Sequence, residues 1–210
     1  QEKVVKPLGA LKNGKFLFTD KEDKDIYNTI YQDTKGETYG TYNYYIDNDF
    51  QTGEKRIETI FAPCPLWSAV RENDRIISTI AFPRALGGYA EEMALPKLLY
   101  WGGLLDTDVT WYLDEDATLY TQTQYPYAGH LDNPYNPQFD LSWGVPKSLY
   151  YDFSYGGLTD LLYTDKNCFN LYWKQYIQQI TDKDSKILEV YMVLDSHRYD
   201  LLTFRKLYFI

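Results

Sequence analysis

The sequence has few of the side chains on which most metal and nucleophilic sites depend. Only two cysteines and two histidines occur among its 210 residues. Two cysteines cannot build a disulfide framework, and two histidines cannot build a histidine-rich zinc site. We predict that Cys64 and Cys168 are buried thiols, with a single disulfide between them left open. His130 is expected to be a hydrogen-bonding residue in a loop. No cofactor and no metal ion is predicted.

An excess of basic charge and a long apolar run are also missing. Lys and Arg number 21 against 30 Asp and Glu, which gives a net charge of −9. A nucleic-acid-binding protein needs clustered Lys and Arg, and so does a protein that binds an anionic membrane. No segment approaches the ~18 apolar residues that cross a bilayer. Sequence-specific nucleic acid and membranes are therefore not expected partners.

Catalytic motifs are scarce as well. The carboxylate clusters at 47–49, 106–108 and 114–116 lie where strands are expected to turn, and Asp is common in turns. No EF-hand spacing, phosphate-binding glycine loop or Gly-x-Ser-x-Gly motif is present. No pattern points to a Ser-His-Asp or Cys-His pair. We predict that the chain is not an enzyme, with a glycoside hydrolase kept as a minor alternative.

Aromatic residues are abundant. The 22 Tyr, 10 Phe and 5 Trp make up 18% of the chain. Tyrosine has a large apolar ring and a polar hydroxyl, which suits half-buried sheet faces and protein interfaces. Most of these rings are expected to pack a β-rich core, and the others to form contacts between proteins.

Short apolar or alternating segments between turn signals predict a mainly β fold. We expect antiparallel barrels or sandwiches with one packed α-helix at about residues 167–181. Glu37–Ile46 and Lys55–Phe61 flank a polar turn and predict a hairpin. Pro63 and Pro65 interrupt strand pairing, which predicts a β-rich segment over 1–63 and a barrel-like domain over 64–210. The apolar C-terminus suggests a fragment of a longer protein.

Two segments hold the candidate packing and assembly residues. The helix has apolar residues at spacings of three and four, which predict a core-facing stripe with Asp165 or Asn167 as N-cap. The stripe consists of Phe169, Tyr172, Trp173, Tyr176 and Ile177. Tyr125–Pro146 is rich in proline, glycine and aromatics, and such a long loop is typically functional. Its candidate interface residues are Tyr125, Tyr127, Leu131, Tyr135, Phe139 and Trp143.

Several segments resemble a large virion tail protein of crAss-like bacteriophages, which infect Bacteroidales. The matching segments are Tyr125–Pro134, Asn136–Leu141, Asn170–Lys174, Ile180–Lys186, Asp200–Leu201 and Phe204–Lys206. The resemblance covers mainly Leu98–Ile210, with weaker support from Ile57–Trp67. It does not extend to Gln1–Tyr45.

This resemblance implies a structural role in the tail, either in the hub that caps the tail tube or in the muzzle that closes it. It implies β-barrels, a ring of identical copies and contacts with neighbouring tail proteins. It also implies assembly in the cytoplasm of the bacterial host and localisation in the virion. Ring interfaces favour aromatic residues, and an acidic channel wall would let DNA pass without sticking.

A carbohydrate-binding module of a receptor-binding or surface protein is the alternative function. Exposed tryptophan rings stack on sugars, and carboxylates accept hydrogen bonds from sugar hydroxyls. The residues expected to line such a groove are Trp101, Trp111, Trp143, Asp106 and Asp108.

Overall fold

A computed structural model describes residues 2–7, 13–47, 52–67, 70–72, 75–78, 82–83, 95–107, 110–112, 119–121, 123–147, 162–182, 184 and 186–191. Most regular elements in these ranges are strands, so the predicted mainly β class is confirmed. The sheets have two or three strands each. None of the sheets that the structure describes closes into the predicted barrel, because each of them is open at its edge strands.

The strands of the described residues are β1 (Glu2–Pro7), β2 (Asn13–Thr19), β3 (Tyr42–Tyr45), β4 (Gly53–Glu58), β5 (Leu66–Trp67), β6 (Val70–Glu72), β7 (Arg75–Ser78), β8 (Phe82–Pro83), β9 (Tyr100–Asp106), β10 (Thr110–Tyr112), β11 (Leu119–Thr121), β12 (Gln124–Gly129) and β13 (Lys186–Tyr191). The helices are α1 (Ile26–Lys35) and α2 (Lys174–Thr181), and a π-helical turn over Phe169–Trp173 leads into α2.

The chain divides into two compact units. One unit is Lys12–Ile177, and the other joins Gln1–Leu11 to Gln178–Ile210, where β1 pairs antiparallel with β13. This division differs from the boundary predicted between residues 63 and 64, because the first unit spans it.

Polar contacts of a single lysine join segments that precede and follow residue 63. Lys97 Nζ lies 2.6 Å from Asp23 Oδ2, 3.1 Å from Asp25 Oδ2 and 3.2 Å from the carbonyl oxygen of Pro63. The Asn28 side chain donates to the same carbonyl at 3.0 Å. Distant parts of the sequence are therefore held together by one buried ionic cluster.

The central sheet has the order β3-β2-β4, with β2 antiparallel to β3 and parallel to β4. The predicted hairpin between Glu37–Ile46 and Lys55–Phe61 is therefore not formed, since β2 lies between its two strands. The reason is burial: β2 carries Phe16 and Phe18, which are among the most buried side chains. A strand of this kind is stabilised most in the middle of a sheet.

Helix α1 has clear signals at both ends. Asp25 Oδ1 accepts hydrogen bonds from the backbone N–H groups of Tyr27 and Asn28 at 3.1 and 3.0 Å. Gly36 ends the helix with a φ of 71°, and its N–H donates to the carbonyl of Gln32 at 2.8 Å. An acidic N-cap and a left-handed glycine are common helix boundaries.

Aromatic rings fill the core on one side of the central sheet. Phe18 is fully buried, and its ring centroid lies 5.0 Å from that of Phe169 and 5.4 Å from those of Trp143 and Trp173. Tyr42 stacks on Phe169 at 4.2 Å. Edge-to-face and stacked rings at these distances are favourable.

The predicted helical stripe is only partly in the core. Phe169 and Ile177 are buried and Trp173 is half-buried, whereas Tyr172 is 75% and Tyr176 54% exposed. The π-helical turn explains the difference, because the Lys174 N–H bonds to the Phe169 carbonyl five residues earlier. The wider turn keeps Phe169, Trp173 and Ile177 on the core face. It rotates Tyr172 and Tyr176 outward.

Candidate functional site

The sheet of β9 and β12 holds the start of the predicted interface loop, since β12 includes Tyr125 to Gly129. The two strands are antiparallel, with a bulge between Tyr127 and Ala128. A Cβ on Gly102 would lie 2.5 Å from the Tyr127 ring, so glycine is needed for that ring to lie on the β9 backbone. Pro126 lacks an N–H donor and is tolerated in such a short, irregular sheet.

Four of the six candidate interface residues lie inside the chain's own core. Tyr125, Tyr127, Leu131 and Trp143 are buried, and Tyr135 is half-buried. Those four side chains pack within the chain in this conformation, and their role in assembly stays a prediction. Phe139 alone of the six is exposed, at 44%. Its role in assembly stays a prediction.

Asp132 shapes the tip of this loop. Its Oδ1 accepts hydrogen bonds from the backbone N–H groups of Asn133, Gln138 and Phe139 at 2.9 to 3.1 Å. Asn133 Oδ1 accepts from the N–H of Tyr135 at 2.9 Å. Such side-chain turns fix a proline-rich loop without regular secondary structure.

A buried polar chain lies behind the loop. His130 Nδ1 is 2.7 Å from Asp140 Oδ1, and His130 Nε2 is 3.0 Å from the Tyr39 hydroxyl. Asp140 Oδ1 also accepts from the Ser142 N–H at 2.7 Å, and Ser142 Oγ lies 3.2 Å from His130 Nδ1. The expected hydrogen-bonding role of His130 is thus confirmed. Its partners Tyr39 and Asp140 were not among the residues predicted from the sequence to form a site.

This polar chain is buried, since Tyr39, His130 and Asp140 are each less than 5% exposed. With the proton on Nδ1, the imidazole donates to Asp140 and accepts from the Tyr39 hydroxyl. Burial raises the pKa of Tyr39 well above its ordinary value, so that hydroxyl stays protonated. Asp140 Oδ2 has no hydrogen-bond partner within the described residues. A carboxylate paired to an enclosed imidazole in this way fixes the loop against β5.

Asp20 and the two cysteines line a cavity of about 210 Å³ next to the hydrogen-bonded side chains of Tyr39, His130 and Asp140. Asp20 Oδ1 accepts from the Thr59 hydroxyl at 2.8 Å and from Trp143 Nε1 at 3.1 Å. Burial raises the pKa of the Asp20 carboxyl, and these two hydrogen bonds only partly offset it.

The thiols of Cys64 and Cys168 are both free. Burial raises the pKa of each to about 11, so both stay protonated near neutral pH. A protonated thiol is a poor nucleophile. Cys64 is buried as predicted, Cys168 is half-buried, and the disulfide left open by the sequence is not formed.

The opposite face of the β9–β12 sheet is apolar and exposed. Trp101 is 71% and Leu104 62% exposed, and the register places them opposite Ala128 and Pro126. Gln124 Nε2 donates to Asp106 Oδ1 at 3.0 Å at the end of the same face. We call Trp101, Leu104, Pro126 and Ala128 the exposed sheet face. An exposed tryptophan beside a leucine is typical of a surface that binds another molecule.

The structure separates the residues predicted to line a sugar-binding groove. Trp101 and Asp106 share the exposed sheet face, whereas Trp143 is buried against Phe18. The side chain of Trp111, and Asp108 as a whole, lie outside the described residues, as do the cluster at 114–116 and residues 192–210.

No group of three or more His, Cys, Asp or Glu side chains suited to a metal ion occurs among the described residues. Within the same part of the chain, no helix has the length and apolarity to cross a membrane. No protein-family model, no curated protein and no solved structure matches this chain.

Proposed function

We propose that the chain is a structural subunit of a bacteriophage tail, of the hub or muzzle type, that forms a ring with copies of itself. Support comes from the resemblance of its sequence to tail proteins of crAss-like phages and from one structural observation, the exposed sheet face. In a ring each copy uses two different surfaces, and the rotation between copies closes the assembly. Neighbouring tail proteins are the other proposed partners, and the virion, assembled in the host cytoplasm, is the proposed location.

The exposed sheet face carries the proposal because its composition matches an interface core. Tryptophan is enriched at the centres of protein interfaces, where aromatic residues form most of the strong contacts. Tyr172 and Tyr176 add a second exposed aromatic surface on the helix, where the sequence had predicted core packing. A barrel or sandwich is also part of this proposal. Within the described residues β9 pairs only with β12, so its outer edge is open to pairing with a further strand.

Sedimentation analysis of the purified chain tests the proposal. We expect multimers whose size falls towards that of a monomer in Trp101→Asp and Leu104→Asp, because a charge in the contact opposes burial. Ile60→Asp is the matched control, since Ile60 is 72% exposed and belongs to neither β9 nor β12. A chain that stays monomeric at all concentrations, or multimers that persist in both variants, would contradict the proposal.

A carbohydrate-binding module remains the second candidate. The observation that favours it is the placement of Trp101 on the same face as the hydrogen-bonded Asp106 and Gln124. The same preparation, titrated with oligosaccharides and followed by tryptophan fluorescence, tests it. Saturable binding by a monomer that is lost in Trp101→Ala supports the module, and an unchanged signal in the wild-type chain argues against it.

A further inference from the structure

The cavity beside His130 has walls that are mostly apolar. Its volume is about 210 Å³, whereas one water molecule occupies about 30 Å³ in the liquid, so the cavity has room for a small organic molecule. The apolar part of its lining consists of Phe61, Ala62, Pro63, Leu98, Leu141 and Trp143. Apolar walls with a few polar groups are typical of a site that binds a small molecule. We call this space the Asp20 cavity.

Asp20 has a carboxylate oxygen that is accessible and unused. The two side chains that donate to Asp20, Thr59 and Trp143, both bond to its Oδ1. Its Oδ2 accepts no hydrogen bond from the described residues. Unlike Asp140 Oδ2, it is not closed off from solvent. Because Asp20 lines the cavity, a donor that enters there has an accessible acceptor.

The other polar side chains of the lining already have partners within the chain. The two ring nitrogens of His130 are bonded to Tyr39 and Asp140. The Thr59 hydroxyl donates to the Asp20 carboxylate and accepts from a backbone N–H at 3.3 Å. The Cys168 thiol donates to a backbone carbonyl at 3.2 Å. The carboxylate is therefore the group that decides which molecule fits.

The charges at the walls of the Asp20 cavity favour a cation. No lysine or arginine is among the described residues that line it, and Asp20 is the carboxylate among them. His130 also lines the cavity, but it is paired with Asp140 at 2.7 Å. That pair has no net positive charge whether or not the imidazole is protonated. Asp20 is therefore left without a compensating charge from the described lining.

The nearby lysine does not change this balance. The charge of Lys97 acts on the thiol of Cys64, which lines the cavity. Lys97 Nζ is itself bound by two carboxylates, those of Asp23 and Asp25, at 2.6 and 3.1 Å. One positive charge facing two acidic groups has none to spare for Asp20. Opposite charges attract strongly where water is largely excluded, so a cationic occupant fits best.

We propose that the Asp20 cavity binds a small organic cation, of the class of primary alkyl- and arylalkyl-ammonium ions. The ammonium group donates to Asp20 Oδ2, and the alkyl or aryl part packs on the apolar walls. An alcohol of the same shape makes a hydrogen bond but no ion pair, and a carboxylate of that shape repels Asp20. A metal ion finds too few ligands, because the described residues hold no suitable group of three His, Cys, Asp or Glu.

Saturation-transfer NMR on the full chain near neutral pH tests this site. The probes are butylammonium and benzylammonium. Butanol and benzyl alcohol are the neutral molecules of the same shape, and butyrate and benzoate are the anionic ones. We expect saturation transfer to at least one ammonium probe at millimolar concentration. Its affinity should exceed that of the matching alcohol by about tenfold or more, because hydrogen bonds between charged groups are the stronger ones. The two carboxylates should show no transfer.

Asp20→Asn removes the charge and keeps the shape of the side chain. It should weaken ammonium binding by about tenfold or more, to the level of the matching alcohol. Asparagine retains an oxygen for the Thr59 and Trp143 donors, so the variant should stay folded, which urea unfolding checks. Asp33→Asn is the matched control, because it makes the same chemical change at an exposed position and should leave the affinity unchanged.

The indole N–H signal of Trp143 locates the binding without any variant of the site. Trp143 Nε1 donates to the Asp20 carboxylate at 3.1 Å, so this signal, one of five from tryptophans, should shift when the ammonium probe is added. Trp101→Ala alters the exposed sheet face and should change neither the affinity nor that shift. This comparison separates the Asp20 cavity from the surface proposed for assembly or sugar binding.

Three results would overturn the proposal. They are no transfer to either ammonium probe, an alcohol or carboxylate that binds as tightly as its matching ammonium ion, and undiminished ammonium binding in folded Asp20→Asn. Ammonium binding that leaves the Trp143 signal unmoved, or that is lost in Trp101→Ala, would place the probe elsewhere and would likewise refute the site. These outcomes are independent of whether copies of the chain form a ring.

Discussion

The two faces of the β3-β2-β4 sheet differ in composition and in how completely their side chains are packed or hydrogen-bonded. On one face Phe18 contacts three aromatic rings and is fully buried. On the other face Leu17 lies between Asn43 and Arg56, next to a cavity with unpartnered oxygens. Alternate residues of β2 therefore belong to two sheet faces of different composition. The aromatic face stabilises the fold, whereas the polar face borders a cavity of about 170 Å³.

Phe18→Ala is the substitution with the largest expected effect on this comparison. It should lower the free energy of unfolding by about 3–5 kcal/mol, because it removes a fully buried ring from a packed aromatic cluster. Leu17→Ala, one residue away on the polar face, should cost only about 1 kcal/mol, since that side chain is half-buried beside a cavity. Urea unfolding followed by circular dichroism measures both. Equal losses would show that the two faces do not differ in stabilising the fold.

Lys97→Met tests buried polar groups that are paired, in contrast to the unpartnered amide oxygens of Gln32 and Asn43. We expect a loss of about 3 kcal/mol, because the carboxylates of Asp23 and Asp25 are left buried without their cation. Lys97→Arg is the milder comparison, since it keeps the charge. An unfolding free energy unchanged in Lys97→Met would show that the ion pairs contribute nothing.

The same cluster predicts a dependence on pH. Burial would raise the pKa of Asp23, but the hydrogen bond and charge of Lys97 outweigh it, so the pKa lies below the ordinary value of 3.8. The stabilisation by this carboxylate is therefore complete above that value and is lost as the pH falls through the lower folded-state pKa. Unfolding curves recorded at acidic pH should show this loss in the wild-type chain and not in Lys97→Met.

Trp173→Ala should have an intermediate effect of about 2 kcal/mol, because the ring is half-buried against Phe18. Tyr172→Ala, its exposed neighbour on the π-helical turn, should change stability by less than about 0.5 kcal/mol. Thermal and urea unfolding of the two variants provide the measurement. A larger loss for Tyr172 than for Trp173 would contradict the rotation that the π-helical turn imposes.

Asp20→Asn should give the smallest change in the free energy of unfolding, and that change should be an increase. Burial raises the pKa of Asp20 in the folded chain, so its contribution to stability is present below the ordinary pKa and is lost as the pH rises through the folded value. Near neutral pH the buried charge is therefore unfavourable. Asparagine keeps an oxygen for the Thr59 and Trp143 donors, so the variant should be more stable at about pH 7, with a smaller gain at about pH 4.

Urea unfolding at the two pH values checks this sign, with the exposed Asp33→Asn as control. A variant that is less stable than the wild type at neutral pH would mean that the charge of Asp20 stabilises the fold there.

Some of the fold follows from local sequence. Asp165 or Asn167 was predicted as the N-cap of the helix, and Asn167 Oδ1 accepts from the Asn170 N–H at 2.9 Å. Phe169 and Ile177 were predicted to be buried, and they are. Helix α1 was missed although Asp25 and Gly36 mark its ends. Its Ile, Tyr and Thr residues have only modest helix propensity, so the tertiary context decided its conformation.

The sites were harder to predict. His130 was expected to form hydrogen bonds, but its partners Tyr39 and Asp140 are 91 and 10 residues away. A cavity of about 170 Å³ brings Gln32, Asn43 and Arg56 together from a helix and two strands. No spacing rule connects such residues, because their proximity depends on the order of strands in the sheet.

The sequence by itself determined the mainly β class, the excess of acidic charge and the C-terminal end of α2. These properties depend on composition and on neighbours a few residues apart. Only the tertiary structure decided that β2 separates β3 from β4, that most of the loop aromatics are buried, and that unpartnered amides line a cavity. Those outcomes depend on long-range packing, in which the burial of β2 outweighs the local preference of its neighbours to pair as a hairpin.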